Sequence, residues 1–236
     1  LEEVAHDHAD IVFTTSARMH TACLKVAAQH PKTRFLNCSL NAPHPLVRTY
    51  YPRLYGAKFI KGAIAGTLTR DGCIGYVADY PTYGSIASIN AFAQGARMVN
   101  ANARIYLDWA HLRDGGAVGR LQAQGIVYID YLDRLATSTG TQMGNRHNLA
   151  LIQTHWGRLY QSLVRRVMEG SWKQEDQGSS AVNYWWGMEQ GVVSVLCSRR
   201  LPTGPRRLAG VLREALKADR LDPFYGVLMD QSGRVV

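Results

Sequence analysis

Between Tyr55 and Gly84 the chain passes through two kinds of apolar run. Tyr55 to Leu68 is apolar and rich in small residues, with Gly62, Ala65 and Gly66 at helical neighbour spacing. That spacing predicts a helix whose small face presses close against a sheet. Asp71-Gly72 marks a turn. Cys73 to Ala78 is a short apolar run, predicting a strand buried on both faces. It closes at Asp79-Tyr80-Pro81, since proline cannot donate within a central ladder. A helix, a turn, a buried strand and a polar strand end make half of a doubly wound unit. Ligands of open parallel sheets sit outside the carboxyl ends of the strands. Asp79, Tyr80 and Tyr83 are therefore the first site candidates.

The same reading places further elements along the chain. Leu1 to Ala9 ends a helix, and Ile11 to Thr15 is a strand. Thr14, Thr15 and Ser16 then stand before a helix from Met19 to Gln29, where hydroxyls and a helix start can meet a polar ligand or simply cap. Arg34 to Ser39 is a strand and Asn41 to Pro45 a loop. A helix is expected from about Val47, with Pro52 implying a late start at Tyr51 or a kink. Ser85 to Val99 and Ala117 to Ala123 are helices; Arg104 to Trp109 and Ile126 to Tyr131 are strands. Leu135 to Asn148, full of Thr, Ser, Gly and Asn without a period, is expected to be a loop. Ala150 to Thr154 is a strand, Arg158 to Glu169 an amphipathic helix, and Val192 to Cys197 a further strand. Arg206 to Arg220 is a basic helix, and Asp230 to Gly233 a hairpin turn.

Composition narrows the classes. At 236 residues with 46% hydrophobic and 19% charged, the chain can bury a large core as one domain or two lobes. No run approaches the roughly 18 uncharged apolar residues of a membrane helix, and LEEVAHDHAD lacks the features of a signal peptide. The net charge of +9 gathers late, at Arg199, Arg200, Arg206, Arg207, Arg213, Lys217 and Arg220. These alternate with leucines at helical period and carry no interleaved aromatics, which reads as a solvated helix face and not a nucleic-acid surface. The four cysteines show no paired spacing, so buried reduced thiols are expected and a zinc site is not. His6, His8, Asp7 and Asp10 point to different helix faces and read as a surface cluster.

Catalytic templates are missing: no Gly-x-Ser-x-Gly elbow, Walker loop or His-Glu-x-x-His occurs. Strand ends instead combine carboxylates (Asp79, Asp108, Asp130, Asp133) with aromatics (Tyr80, Tyr83, Trp109, Tyr131, Trp156, Trp186). Aromatics stack on flat rings and carboxylates accept from hydroxyls or ring N–H groups. The same aromatics also serve as core or hinge packing.

The order of short motifs resembles the basic membrane protein family, the purine-nucleoside-receptor-like substrate-binding lipoproteins of ABC importers. The carriers are the helix Tyr55-Gly56 to Gly66, the strand Ile74-Gly75-Tyr76-Val77-Ala78 and the helix Ile89 to Arg97. Gln124 to Ile129 with Asp133, His155-Trp156-Gly157 with Tyr160, and Gly170-Ser171-Trp172 are similar as well. So are Gly187-Met188 to Val193 and Phe224-Tyr225-Gly226 with Asp230 to Gly233. The resemblance implies an α/β protein of two doubly wound lobes joined by a hinge, like type I periplasmic binding proteins. Expected boundaries are 1–103 for lobe one, 104–198 for lobe two, and 199–236 for a helix and hairpin crossing back at the hinge.

The implied function is non-catalytic binding of a small nucleoside-like ligand in an inter-lobe cleft, as a solute-binding or sensory domain without a cofactor. The alternative is a regulatory domain that associates with protein and holds no small molecule. Candidate contacts are Thr15, Ser16, Asp79, Tyr80, Tyr83, Trp109, Asp133, Trp156 and Trp186, with Asp133 at the family's carboxylate position. Implied partners are the ligand, an ABC permease or a fused regulatory module, and a second copy or parent peptide covering an edge left by the family's first strand. The family implies a membrane-anchored extracytoplasmic protein, whereas the thiols and the N-terminal composition favour the cytoplasm.

Overall fold

The computed structural model describes residues 1–7, 9–40, 44–80, 83–111, 116–132, 134–137, 148–172 and 182–235. The side chains of Tyr83 and Thr137 lie outside that description. In chain order the elements are α1 (Glu2–His6), β1 (Ile11–Thr14), a 3-10 turn (Ala17–Met19), α2 (His20–Gln29), β2 (Arg34–Cys38) and β3 (Val47–Pro52). They continue with α3 (Tyr55–Leu68), β4 (Cys73–Ala78), α4 (Tyr83–Val99), β5 (Arg104–Trp109), α5 (Ala117–Ala123) and β6 (Tyr128–Tyr131). The last are β7 (Arg134–Thr137), β8 (Asn148–Thr154), α6 (Trp156–Met168), β9 (Asn183–Trp186), β10 (Val193–Cys197) and α7 (Thr203–Lys217). Among the described residues no helix is long and apolar enough to cross a membrane.

Contacts divide the chain into two compact units, 1–52 with 155–186, and 53–154 with 187–236. The chain therefore passes between units three times. This differs from the expected cut after residue 103, for a reason visible in the ladders. β4 pairs in parallel with both β5 and β6, so 53–103 cannot be parted from 104–137 without breaking two rows of hydrogen bonds. The tail from 199 likewise stays with the second unit, where Arg97 donates to the Asp230 carbonyl.

The first unit is a parallel sheet in the order β1-β2-β3-β9. Val47 to Pro52 is its third strand and not the expected helix. Val47, Thr49, Tyr50 and Tyr51 are β-branched or aromatic, which favours an extended pleat. Pro52 sits at the strand's last position, where a missing N–H is tolerated. Parallel partners point to the same face, so register sorts the side chains. Val12, Phe35 and Val47 lie on one face and form a core with Ala5 of α1 and Cys23, Val26 and Ala27 of α2.

The second unit has a six-stranded mixed sheet in the order β10-β8-β7-β6-β4-β5. The expected loop from Leu135 begins as β7, antiparallel to β6, so Arg134 to Thr137 returns along the strand before it. The remainder of that expected loop, 138–147, lies outside the described residues. The small face of α3 meets a helix and not the sheet. A Cβ on Gly62 would overlap the backbone carbonyl of Phe92 in α4, and one on Gly95 would overlap that of Phe59 in α3. Glycine at both positions is what lets the two helices touch backbone to backbone. All four cysteines are free thiols; Cys23 is buried, while Cys38, Cys73 and Cys197 are partly exposed, short of the full burial expected.

Candidate functional site

In the first unit the carboxyl end of the sheet carries a polar row. Thr14, Asn37 and Thr49 are register partners on the face that packs α2, immediately beyond the apolar row Val12–Phe35–Val47. All three are buried. Asn37 donates through Nδ2 to Thr14 Oγ1 (2.7 Å) and to the Ser16 carbonyl (2.9 Å). The Thr14 hydroxyl donates to the Leu36 carbonyl at 3.2 Å. Yet Asn37 Oδ1, Thr49 Oγ1 and the nearby Ser39 Oγ are buried without a hydrogen-bond partner among the described residues. Leaving such a group unmet costs on the order of 1–3 kcal/mol, so three gathered at one strand end call for an explanation. Of the expected contacts here, Ser16 caps the 3-10 turn by accepting from the Arg18 N–H, and Thr15 is exposed.

The opposite face is aromatic. Tyr50 donates to the Thr14 carbonyl, meets the Tyr160 hydroxyl at 3.3 Å, and packs edge-on with Phe13 and Tyr160. Burial, reinforced by the Tyr160 contact, pushes the Tyr50 phenol well above its ordinary range. Trp156 opens α6 above this cluster, its ring 6.1 Å from that of Tyr160 and still 38% exposed. Trp186 belongs to a second group on the same face. Its ring lies 5.4 Å from the Arg166 guanidinium and edge-on to Tyr184. Beyond Tyr184 the guanidinium of the buried Arg48 lies over Trp172, 3.6 Å from the ring centre, and donates to the Trp172 carbonyl. One side of Trp186 thus faces a cation, which narrows its use as a stacking platform.

In the second unit Asp79 and Tyr80 stand at the end of β4, as expected, and both engage His111, which the sequence reading missed. The His111 Nε2 pairs with Asp79, and its ring stacks on Tyr80 with centroids 4.6 Å apart and planes 4° from parallel. His111 follows β5, so two adjacent parallel strand ends bring an acid, an imidazole and a phenol together. Trp109 is half-buried at the end of β5. Two expected carboxylates are committed elsewhere. Asp108 receives Arg120 of α5 through two bonds, at 2.7 and 3.0 Å. Asp130 is fully buried and bridges Lys58 (2.6 Å) and Lys61 of α3, which also reach the Leu132 carbonyl. Burial, the largest influence, depresses the Lys58 pKa. The charge of Asp130, joined by Tyr76 and the hydrogen bonds to both, together outweighs it and holds that pKa above the ordinary range. Asp133 lies outside the described residues, and only the backbone of Tyr83, the first residue of α4, is described. No group of three metal-ligating side chains gathers among the described residues.

The chain thus passes three times between two α/β units that carry polar and aromatic groups at their strand ends. The solved solute-binding protein of an ABC transporter system from Conexibacter woesei matches 94% of this chain and 81% of its own, with a TM-score of 0.66 at 15% identity. That likeness carries the fold: two doubly wound lobes of the type I periplasmic binding protein kind. Residues 1–136 match the Bmp family, described as ABC transporter substrate-binding protein, PnrA-like, and the chain belongs to that family. A purine-binding protein of Brucella abortus is 24% identical over 254 residues, covering 99% of this chain and 71% of that protein. A Haloferax volcanii protein named for glucose binding in ABC transport is 26% identical over 212 residues. The match covers 81% of this chain and 52% of the Haloferax protein. The family is one of binding proteins, and the names of both relatives speak of binding and not of a reaction.

Proposed function

We propose that this chain binds a small polar solute of the purine-nucleoside class without transforming it, for an ABC permease or a regulatory module. The observation that carries the reading is the row of buried, unmet polar atoms at Asn37, Ser39 and Thr49, on the strand ends where parallel sheets hold ligands. The family and the name of the Brucella relative support the ligand class. Trp156, still partly exposed, is the stacking candidate of the first unit; Asp79, Tyr80, His111 and Trp109 form a separate candidate edge in the second. Asp133 keeps the role that the family resemblance implies, accepting sugar hydroxyls.

Calorimetry of the intact chain against adenosine, guanosine, inosine and glucose tests the proposal. The expected result is heat with at least one nucleoside and none with glucose. Asp133→Asn should then weaken binding about ten- to a hundredfold, the worth of about 1.5–3 kcal/mol of charged hydrogen bonding. Glucose binding alone would favour a sugar, the second reading, which the Haloferax relative's name supports. No heat at millimolar ligand would favour a domain that associates with protein only.

A further inference from the structure

The amide of Asn37 has its orientation dictated by what surrounds it. The Ser16 carbonyl, 2.9 Å away, can only accept, so the nitrogen must face it. Thr14 Oγ1, 2.7 Å away, gives its own proton to the Leu36 carbonyl, so toward Asn37 it too can only accept. Rotating the amide would set its oxygen against two acceptors. Both amide N–H groups are therefore spent, and what remains is Oδ1, an acceptor that cannot donate. That atom is fully buried and has no partner among the described residues. Its register neighbour Thr49 buries a hydroxyl in the same condition, and that hydroxyl can either give or accept.

We infer that Asn37 reads the solute by polarity, accepting a hydrogen bond from an N–H or O–H of the ligand and rejecting an analogue that presents a lone pair or a C–H there. The inference rests on the solute-binding reading above and sharpens it. The chain of protons Asn37 → Thr14 → Leu36 is what enforces the choice, because an amide free to rotate would serve donors and acceptors alike. For a purine nucleoside the donor is the exocyclic amine or a ribose hydroxyl. Asn37 is enclosed in this conformation, so the donor reaches it only once the surrounding edge opens.

The test is calorimetry of the intact chain with adenosine and four analogues that each lack one donor: purine riboside, 2′-deoxyadenosine, 3′-deoxyadenosine and 5′-deoxyadenosine. One analogue should bind at least about tenfold more weakly than adenosine, the consequence of a buried acceptor left unmet. In Asn37→Leu that same difference should shrink to within about twofold, since the acceptor is gone. Thr14→Val provides a second route should Asn37→Leu fail to fold. It removes one of the two acceptors that fix the amide, leaving the Ser16 carbonyl alone to hold it, and should weaken discrimination without removing the acceptor. If all five ligands bind alike, the polarity assignment is wrong and the solute reading survives. An analogue difference that persists unchanged in Asn37→Leu or in Thr14→Val overturns the assignment to Asn37, as when an internal water meets Oδ1. No binding by any ligand overturns both readings together.

Discussion

The side chain of Gln231 pairs with the backbone of Ile105 as a neighbouring strand would. Its Oε1 accepts from the Ile105 N–H at 2.6 Å and its Nε2 donates to the Ile105 carbonyl at 3.3 Å. β5 is the edge of the six-stranded sheet, and exposed edges invite pairing with other chains. Four residues on, the outward N–H of Trp109 is taken by the Asp108 carboxylate. The edge is thus closed at both ends by side chains.

Gln231→Ala should therefore reopen the Ile105 groups. The expected outcome is a loss of about 1 kcal/mol in stability and a greater tendency to self-associate. Chemical denaturation and concentration-dependent light scattering read the two effects. A variant as monodisperse and as stable as the parent would show that Gln231 does not guard the edge.

Gly62 and Gly95 govern the approach of α3 and α4. Alanine at either position drives a methyl group into a backbone carbonyl of the other helix. Neither helix backbone can step aside cheaply, so each substitution should cost at least the roughly 1–3 kcal/mol typical of overpacking. Gly119, with nothing near its Cβ position, is the control and should gain slightly from alanine. Thermal melts of the three variants decide the matter. Equal melting temperatures would mean that the helices separate at little cost.

Asp130 shares its one negative charge between two lysines that are themselves buried. Asp130→Asn leaves both ammonium groups without that charge, and urea unfolding at neutral pH should show a loss of about 3–5 kcal/mol. The pH dependence has a definite sign. The raised Lys58 pKa contributes stability that is fully present below the unfolded lysine value of about 10.4 and is lost as pH climbs through the higher folded value. The gap between parent and variant should therefore hold steady from neutral to mildly alkaline pH and narrow only above that. A gap that closes near pH 7 would contradict the charged triad.

Cys23 is fully buried against α2's own core, and burial pushes its thiol up, with the Thr14 hydrogen bond pulling weakly the other way. Alkylation of the native protein near pH 8 should leave Cys23 unmodified while the more exposed Cys73 reacts. Peptide mass spectrometry follows both. Equal rates would show that α2 opens locally from its sheet.

The elements that carried a clean period were legible. Tyr55–Leu68, Cys73–Ala78, Arg104–Trp109 and Ala117–Ala123 match their expected bounds. Val47–Pro52 was misread because a proline among apolar residues suits a helix start as well as a strand end; only pairing with β2 and β9 decides. β7 was missed because four residues beside a turn have no period of their own. At the site, Asp79 and Tyr80 stood out as a polar break after an apolar strand. His111 did not, since its place beside them follows from the parallel register of β4 and β5. Asn37 did carry a signal, as an amide inside the apolar run Phe35-Leu36-Asn37-Cys38. The partners of Asp108 and Asp130 were invisible, because Arg120, Lys58 and Lys61 sit on helices whose facing sides no spacing rule supplies.

The interleaving of the two units along the chain has a consequence for synthesis. A ribosome delivers β1, β2 and β3 early, yet β9, the strand that covers β3, emerges only after the whole of 53–154. Until then β3 is an apolar edge without its neighbour, and Tyr50 cannot be sealed by Tyr160. The second unit waits in turn for β10 and α7. Neither unit is complete until the other has been largely translated, so folding must be late and dominated by long-range closure. Such chains form slowly and expose sticky intermediates while they wait. This protein should therefore depend on chaperones during translation far more than its finished stability would suggest.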